Sequence, residues 1–286
     1  MPSSTTTFPD QLSRLLPEAE LVRLAAELTA IPSFTGQETP LAVHVRNTLL
    51  RNDIHAYHQE VQPGRLQTIA RLGPETGTPA LLLNGHLDMD PLGHDQPRTP
   101  FTARRDGDRL YGAGLHHMKS GLAAILGAVI MVRRSGIALY RPLLLEFVVG
   151  ELQGGTGTRH ALRSGLTADA AVVPEPSSVR RVITRTAGVH KFAVDMPPMD
   201  RPADCAVVRD IAELLPQVSD FRVEECGLAL PYSYCGNDTT HLSRAGIECC
   251  LFGPRGAAPD PEHHVLISEM RACADTLALL AARRCG

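Results

Sequence analysis

The chain has 286 residues, 43% of them hydrophobic and 21% charged, so it can bury a sizeable core as one large domain or two small ones. A net charge of −3 gives no reason to expect nucleic acid or an anionic membrane surface as a partner. Aromatic residues make up 4% of the chain and tryptophan is absent, which argues against a surface built for stacking on bases or sugars.

The cysteine pattern indicates a reducing compartment. All seven cysteines lie in the last third of the chain, and none forms a Cys-x-x-Cys pair. The odd number and the lack of zinc-ribbon spacing predict buried, reduced thiols in a cytoplasmic protein. The N-terminus lacks a basic segment followed by an apolar one, and the longest apolar run, 122–132, is too short to cross a bilayer. We therefore expect neither a signal peptide nor a membrane partner.

In chain order, residues 1–16 are rich in Ser and Thr and predict a flexible tail. From 17 to 286, strands and helices alternate with short loops, which predicts a single α/β domain with a mostly parallel sheet and helices on both faces. Helices are predicted at 18–29, 38–51, 122–134, 156–164, 203–215, 238–245 and 262–284. Strands are predicted at 67–72, 80–83, 109–112, 142–149, 170–173 and 246–252, with a hairpin near 182–202.

The first predicted site lies where a strand of leucines, 81–83, ends. Gly85 breaks the apolar run, and His86 and Asp88 follow two residues apart. Open α/β sheets place ligands at such a carboxyl edge. We interpret His86 as a metal ligand and Asp88 as the carboxylate that holds its second ring nitrogen. The alternative is a polar strand end with an ordinary loop histidine.

Three other predicted strand ends also carry groups that can bind metal or protons. They are the pair His116-His117, Glu151 and Glu175. If these strands are neighbours, imidazoles and a carboxylate converge, and three such ligands with one open position satisfy a catalytic zinc ion. Glu151 would then be free to take a proton from water.

These motifs occur together in one known order and spacing. The chain resembles the zinc peptidases that include aminoacylase, carboxypeptidase G, acetylornithine deacetylase and succinyl-diaminopimelate desuccinylase. The resemblance covers residues 20–190 and 230–280. It is carried by Gly85-His86-Leu87-Asp88-x-x-Pro91, by Gly112-x-Gly114-x-x-His117-Met118-Lys119-x-Gly121, by Gly150-Glu151 with Gly154-Gly155, by Glu175-Pro176-Ser177, and by Asn237-Asp238, Gly246-Ile247 and Phe252-Gly253-Pro254.

The resemblance implies a role for each matching residue. His86 corresponds to a metal ligand and Asp88 to its orienting partner. Glu151 corresponds to the general base. Glu175 corresponds to a terminal ligand of the metal that His86 binds.

Three departures from the family pattern affect the second metal of this family. Its bridging aspartate is His117 here, the second glutamate of its Glu-Glu pair is Leu152, and its last histidine ligand is Ala258 if Glu262 is the glutamate that follows it. A leucine at a ligand position makes metal occupancy costly. The resemblance, read with these changes, predicts one Zn²⁺ per chain.

A fourth departure concerns the lid. The family inserts a lid and dimerisation domain after the Glu-Pro-Thr segment, whereas here the hairpin passes almost directly to the helix at 203–215. We expect the lid to be absent. Because the family dimer forms through the lid, we expect a monomer or a different dimer.

The sequence does not assign a definite role to several other residues. Lys119 is expected to pack or pair near a helix start, and Asp238 is a candidate N-cap of its helix. An exposed helix start is favoured over a ligand role for the pair at 263–264. The histidines that could join the site are His116, His190, His241, His263 and His264.

Three classes of function remain. The first is an amidohydrolase that acts on an N-acyl amino acid, small peptide or related amide. The second is a biosynthetic enzyme that uses the same site for amide formation, cyclisation, dehydration or release from a carrier protein. The third is a non-catalytic binding module, and the joint retention of Glu151 and the ligand set argues against it.

Overall fold

The computed structural model describes residues 7–92, 99–191, 194–227, 236–255 and 264–286. The helices are α1 (Phe8–Arg14), α2 (Glu18–Thr29), α3 (Thr39–Arg51), α4 (Ser120–Ser135), α5 (Thr156–Arg163), α6 (Ala206–Val218), α7 (Asp238–Arg244) and α8 (Ile267–Cys285). The strands are β1 (Ala56–Gln62), β2 (Arg65–Leu72), β3 (Leu81–His86), β4 (Arg104–Asp106), β5 (Arg109–Tyr111), β6 (Leu143–Val148), β7 (Ala170–Val173), β8 (Arg181–Val182), β9 (Arg185–Thr186), β10 (Val189–Lys191), β11 (Val194–Met196), β12 (Met199–Asp200), β13 (Glu225–Cys226), β14 (Glu248–Leu251) and β15 (His264–Leu266).

The centre of the fold is a six-stranded sheet in the order β1-β2-β6-β3-β7-β14. β2 pairs antiparallel with both β1 and β6, and the other three neighbouring pairs are parallel. β3, β6 and β7 therefore end at the same edge. This mixed, mostly parallel sheet confirms the predicted α/β class.

Successive side chains of a strand point to opposite faces of the sheet, and both faces are apolar here. Helices therefore cover both faces. Leu81 and Leu83 belong to the larger core, which includes α4 and α8. Leu82 belongs to the smaller core, with Leu242 of α7. Both cores are apolar at their centres, so the strands are buried on both sides, as the continuous leucine run predicts.

Helix α4 is the central helix of the larger core. Its residues from 120 to 132 are all buried. The segment Leu115–Ser135 is long and apolar enough to cross a membrane, but 89% of its most apolar window is buried inside the protein. It is a core helix, as its apolar residues on every side predict.

A close approach of backbone fixes the start of α4 against the end of β7. A Cβ atom on Gly121 would lie 2.2 Å from the carbonyl oxygen of Pro174, so no larger residue fits without displacing the backbone. This contact brings the turn before α4, which carries His117, next to Glu175.

The N-terminal segment differs from the prediction of a flexible tail over 1–16. Residues 8–14 form α1, whose N-cap is the Thr7 side chain, and both Leu12 and Leu16 are buried in the larger core. The prediction is wrong for this stretch because local composition does not reveal that two leucines dock on α8 and its neighbours.

The last predicted helix begins later than expected. Residues 264–266 form β15, which pairs antiparallel with β5, and α8 starts at Ile267. His264 is buried in this strand, so the prediction that it begins an exposed helix is wrong. Strand β1 was also not predicted. The N-cap of α7 is Asn237, whose side chain accepts from the amide of Thr239, rather than Asp238.

The region between β7 and α6 consists of short paired strands. β10 and β11 form an antiparallel hairpin, as predicted, but β8 pairs with β13 and β9 with β12. The predicted hairpin from 182 onward is therefore wrong in its first half. The absence of a lid stays a prediction.

Candidate metal and catalytic site

His86 is the last residue of β3 and its side chain is fully buried. Its Nδ1 lies 3.3 Å from Oδ1 of Asp88, and its Nε2 lies 3.3 Å from Oε1 of Glu175. Neither contact has the alignment of a regular hydrogen bond, which leaves both ring nitrogens buried without a hydrogen-bond partner. A buried ring nitrogen without a partner is costly, and the nitrogen that carries the lone pair of a neutral imidazole can gain a partner by binding a metal ion.

His117 lies in a π-helical turn, Leu115–Lys119, directly before α4. Its backbone has φ −101° and ψ −105°, outside the helical region, which turns the side chain out of the helix path. Its ring centroid lies 4.8 Å from that of His86, and its Nδ1 is buried without a hydrogen-bond partner. The turn therefore points a second imidazole at the same spot.

The three predicted ligands form one cluster. One ligand atom each from His86, His117 and Glu175 lie within 4.8 Å of one another. Across a tetrahedral zinc ion, two ligand atoms lie about 3.4 Å apart, close to the 3.3 Å between His86 and Glu175. The donor set of two imidazoles and a carboxylate, together with the unpartnered ring nitrogens, fits a divalent metal with one open position.

Asp88 connects this cluster to the loop that carries Glu151. Its Oδ1 accepts the backbone N–H of Glu151 and its Oδ2 that of Leu152, each at 3.0 Å. Burial raises the pKa of Asp88, but the close contact with His86, the charge of that ring and these two N–H groups outweigh burial and lower the pKa to about 2. Asp88 therefore stays ionised and holds His86 and the loop together.

Glu151 lies in a short 3-10 turn, Glu151–Gln153, at the end of β6 and is buried. Burial raises its pKa well above the ordinary value, His86 opposes this, and the neighbouring carboxylates of Glu175 and Asp238 add to it. A carboxylate with a raised pKa is a suitable proton acceptor near neutral pH.

The charges of the cluster favour opposite protonation states for its two histidines. Burial lowers the pKa of His86, but Glu175 and Asp88 together raise it well above the ordinary value. Burial also lowers the pKa of His117, and the charge of His86 adds to that effect. Burial raises the pKa of Glu175, but His86 more than compensates and the pKa is lowered.

The other predicted residues have different surroundings. Lys119 is buried and its Nζ donates to the carbonyl of Ile31 at 2.7 Å, so it packs as expected. Nε2 of His241 lies 3.0 Å from the carbonyl of Gly154, beside the Glu151 loop. His264 packs against Tyr111 with ring centroids 5.5 Å apart. His116 lies beside His117, with ring centroids 6.5 Å apart. His263, Ala258 and the side chain of His190 lie outside the described residues.

A buried polar network under the cluster was not predicted. Nδ2 of Asn84 donates to Oε2 of Glu146 at 2.9 Å and to Oγ1 of Thr158 at 3.1 Å. Thr158 also lies near the carboxylate of Asp238, without a hydrogen bond of regular geometry. The one sequence signal was the charged Glu146 inside an otherwise apolar strand.

Glu146 provides a test of this network. Burial raises its pKa to about 7 from 4.5, Asn84 opposes the rise and Asp238 adds to it. Because the folded state holds this proton more tightly than the unfolded state, stability falls as pH rises from about 4.5 to about 7. We expect Glu146→Gln to stabilise the protein by about 1–3 kcal/mol at about pH 8 and to have little effect at about pH 5.

Urea unfolding at both pH values measures this effect, and Glu60→Gln, at an exposed position of β1, is the control. A variant that is less stable than the wild type at about pH 8 would show that the fold stabilises the charged form of Glu146.

The comparison with protein families gives one match. The model of the Peptidase family M20/M25/M40 matches residues 82–283. This range contains every residue of the predicted ligand cluster, Asp88 and Glu151.

Two curated relatives and one solved structure illustrate the similarity. An N-formyl-4-amino-5-aminomethyl-2-methylpyrimidine deformylase from Bacillus subtilis is 32% identical over 124 residues, 42% of this chain and 29% of the relative. A probable succinyl-diaminopimelate desuccinylase from Staphylococcus epidermidis is 26% identical over 168 residues, 57% of this chain and 41% of the relative. The chain thus matches less than half of the length of either relative.

The solved structure is a dinuclear metal-binding peptidase of the M20 family from Bacillus subtilis. It superposes with a TM-score of 0.65 at 13% identity and covers 93% of this chain and 99% of that one. At this identity the likeness shows a common fold.

Proposed function

Because this chain belongs to the Peptidase family M20/M25/M40, we propose that it is a metal-dependent hydrolase that cleaves an amide bond in an N-acyl amino acid, a small peptide or a related small molecule. The observation that carries the proposal is the joint placement of His86, His117 and Glu175 with a buried Glu151, whose carboxylate interacts with His86 and Glu175 and whose backbone is held by Asp88. A ligand cluster and a proton acceptor within one site are the two parts that hydrolysis requires.

His86, His117 and Glu175 would hold the metal, which we propose to be one zinc ion per chain. When bound, the ion supplies a Lewis acid that polarises the amide carbonyl and makes water more acidic. Asp88 would hold the Nδ1 side of His86, which aims Nε2 at the metal position. The other residues of the site perform the proton chemistry.

Glu151 would act as general base and then as general acid. Its raised pKa lets the carboxylate accept a proton from the attacking water, and the resulting acid can deliver that proton to the leaving amine nitrogen. Burial supports this role because it removes bulk water that would compete for the proton.

The names of the relatives support a small acyl group on an amine as the substrate class. One is named as a deformylase and the other as a desuccinylase. Both names describe removal of an acyl group from nitrogen, the reaction that the site of this chain suits.

We propose one metal rather than two, although the solved relative is named as dinuclear. Where the family has the second glutamate of its Glu-Glu pair, this chain has Leu152. The backbone N–H of Leu152 donates to Asp88, and its side chain offers no ligand atom. Among the described residues, the one cluster of metal-binding groups is that of His86, His117 and Glu175.

We further propose that the protein is cytoplasmic and acts as a monomer or as a dimer that does not use a lid. The described cysteines are free thiols, and four of them are buried, which suits a reducing compartment.

The test is hydrolysis of a panel of N-formyl, N-acetyl and N-succinyl amino acids and dipeptides by the purified protein, with and without metal removal. We expect hydrolysis of at least one class, loss of activity after chelation and its return with added Zn²⁺. Activity that is unchanged in protein shown by elemental analysis to be metal-free would overturn the proposal. So would a protein that binds Zn²⁺ but hydrolyses no member of the panel, and that outcome would favour non-hydrolytic chemistry at the same site.

A further inference from the structure

We propose that the buried ion pair of Glu38 and Arg65 positions the loop that carries Glu151, which makes Arg65 a positioning residue for the reaction. The loop, residues 149–157, is called the base loop from here on. The inference rests on the proposed role of Glu151 as base. Neither member of the pair belongs to the ligand cluster, and no sequence motif indicates a role for either.

The pair is an arginine held rigidly by a carboxylate. Arg65 begins β2 and is 7% exposed, and Glu38, directly before α3, is fully buried. Nε of Arg65 donates to Oε2 of Glu38 at 3.0 Å, and Nη2 donates to Oε1 of the same carboxylate. This two-pronged contact fixes the plane of the guanidinium. A buried ion pair is a weak source of net stability, so its presence calls for another explanation.

The third nitrogen of the guanidinium reaches the base loop. Nη1 of Arg65 donates to Oε1 of Gln153 at 2.7 Å and to Oε1 of Gln62 at 3.1 Å. Gln153 follows Glu151 by two residues in the same 3-10 turn. The pair thus holds one side of the turn that carries the base.

The guanidinium also packs on the residue before the base. A Cβ atom on Gly150 would lie 2.8 Å from Nη2 of Arg65, and Gly150 has a φ of +69°, which glycine adopts without strain. The backbone at 150 can therefore lie directly against the arginine. Arg65 contacts the turn on both sides of Glu151.

Gln67 of β2 supports the two ends of the base loop. Its Oε1 accepts the backbone N–H of Val149 at 3.4 Å, and its Nε2 donates to the carbonyl of Gly157 at 3.3 Å.

Two further supports act on other parts of the loop. Asp88 accepts the amides of Glu151 and Leu152 from the side of the metal cluster. His241 of α7 lies 3.0 Å from the carbonyl of Gly154 at the far end of the turn. Without Arg65, the loop would still be held at the cluster, at Gly154 and at its two ends, but the turn at 151–153 could tilt away from the start of β2.

Tilting matters because a general base must be within hydrogen-bond reach of the water that it deprotonates. A displacement of about 1 Å can lower a rate about 100-fold. Metal binding should not depend on this contact, since none of the three ligands lies in the base loop. The predicted signature is a loss of turnover with intact metal content.

The sharpest variant is Gln153→Ala, because Gln153 is exposed and its removal leaves the Glu38–Arg65 pair intact. We expect kcat to fall about 10- to 100-fold with KM within about twofold of the wild type and metal content unchanged. Arg65→Lys keeps the positive charge but cannot make the two-pronged contact with Glu38, so it should have a similar or larger effect. Arg71→Ala is the matched control, since this β2 arginine donates to the carbonyls of Pro74 and Gly77 at a distance from the loop.

A second measurement does not need a substrate. Hydrogen–deuterium exchange of the segment 150–155 should be faster in Gln153→Ala than in the wild type and unchanged in Arg71→Ala. If the wild type hydrolyses no substrate, the proposed function fails while faster exchange still supports the positioning role. Unchanged exchange, a rise in KM alone, or loss of metal from Gln153→Ala would each overturn the inference.

Discussion

Replacing Glu151 with glutamine is expected to lower kcat by about 10²- to 10⁴-fold, the range that a positioned general base contributes. Glutamine keeps the size and the burial of the side chain but cannot accept the proton of water. Its backbone N–H can still donate to Asp88, so the loop keeps this contact with the cluster. The expected result is a folded, metal-loaded and nearly inactive protein.

Steady-state kinetics on the best substrate of the panel, together with metal content and thermal unfolding, measure this result. Glu60→Gln, a change of the same chemistry at an exposed strand position, should behave as the wild type does. If Glu151→Gln retains more than about a tenth of the wild-type kcat, the proton acceptor is another group and the role assigned to Glu151 is wrong.

The second large effect is expected from the ligand cluster. We expect each of three substitutions to weaken zinc binding by more than ~100-fold: His86→Ala, His117→Ala and Glu175→Ala. Changes to residues that only orient a metal ligand typically weaken binding by up to about 100-fold, and loss of a ligand itself should exceed that. Each substitution leaves two of the three proposed ligands, too few for a stable tetrahedral site with one open position. Asp88→Asn should weaken binding by about 10- to 100-fold, because it keeps the ligands but loses the charge beside His86.

Elemental analysis and zinc titration of the purified variants measure these affinities, and His116→Ala, adjacent in sequence to a proposed ligand, is the control. About one zinc per wild-type chain, lost from the three variants and kept by His116→Ala, is the expected outcome. Two metals per wild-type chain would show that Leu152 and Ala258 do not mark a lost second site. Unchanged metal content in His117→Ala would remove His117 from the ligand set.

The amino-acid sequence was sufficient for the α/β class and for the set of residues that meet at the site. Both follow from local patterns. Leucine runs that stop at polar residues mark buried strands, and parallel strands end at one edge of a sheet, so His86 and Glu175 had to lie near each other once β3 and β7 were neighbours. Other strand ends gave Glu151 and the pair His116-His117 as candidates, and the resemblance then singled out His117 and implied the role of Glu151.

Only the tertiary structure decided how these residues are held, because the contacts that hold them join segments far apart in the chain. Asp88 was expected to orient His86, but its hydrogen bonds to the amides of Glu151 and Leu152 depend on the path of a turn that local sequence does not determine. The Glu38–Arg65 pair and β15 arise in the same way, from packing between distant elements. Such pairings are decided by burial and hydrogen bonding across the whole fold, whereas a strand or helix is encoded within about ten residues of chain.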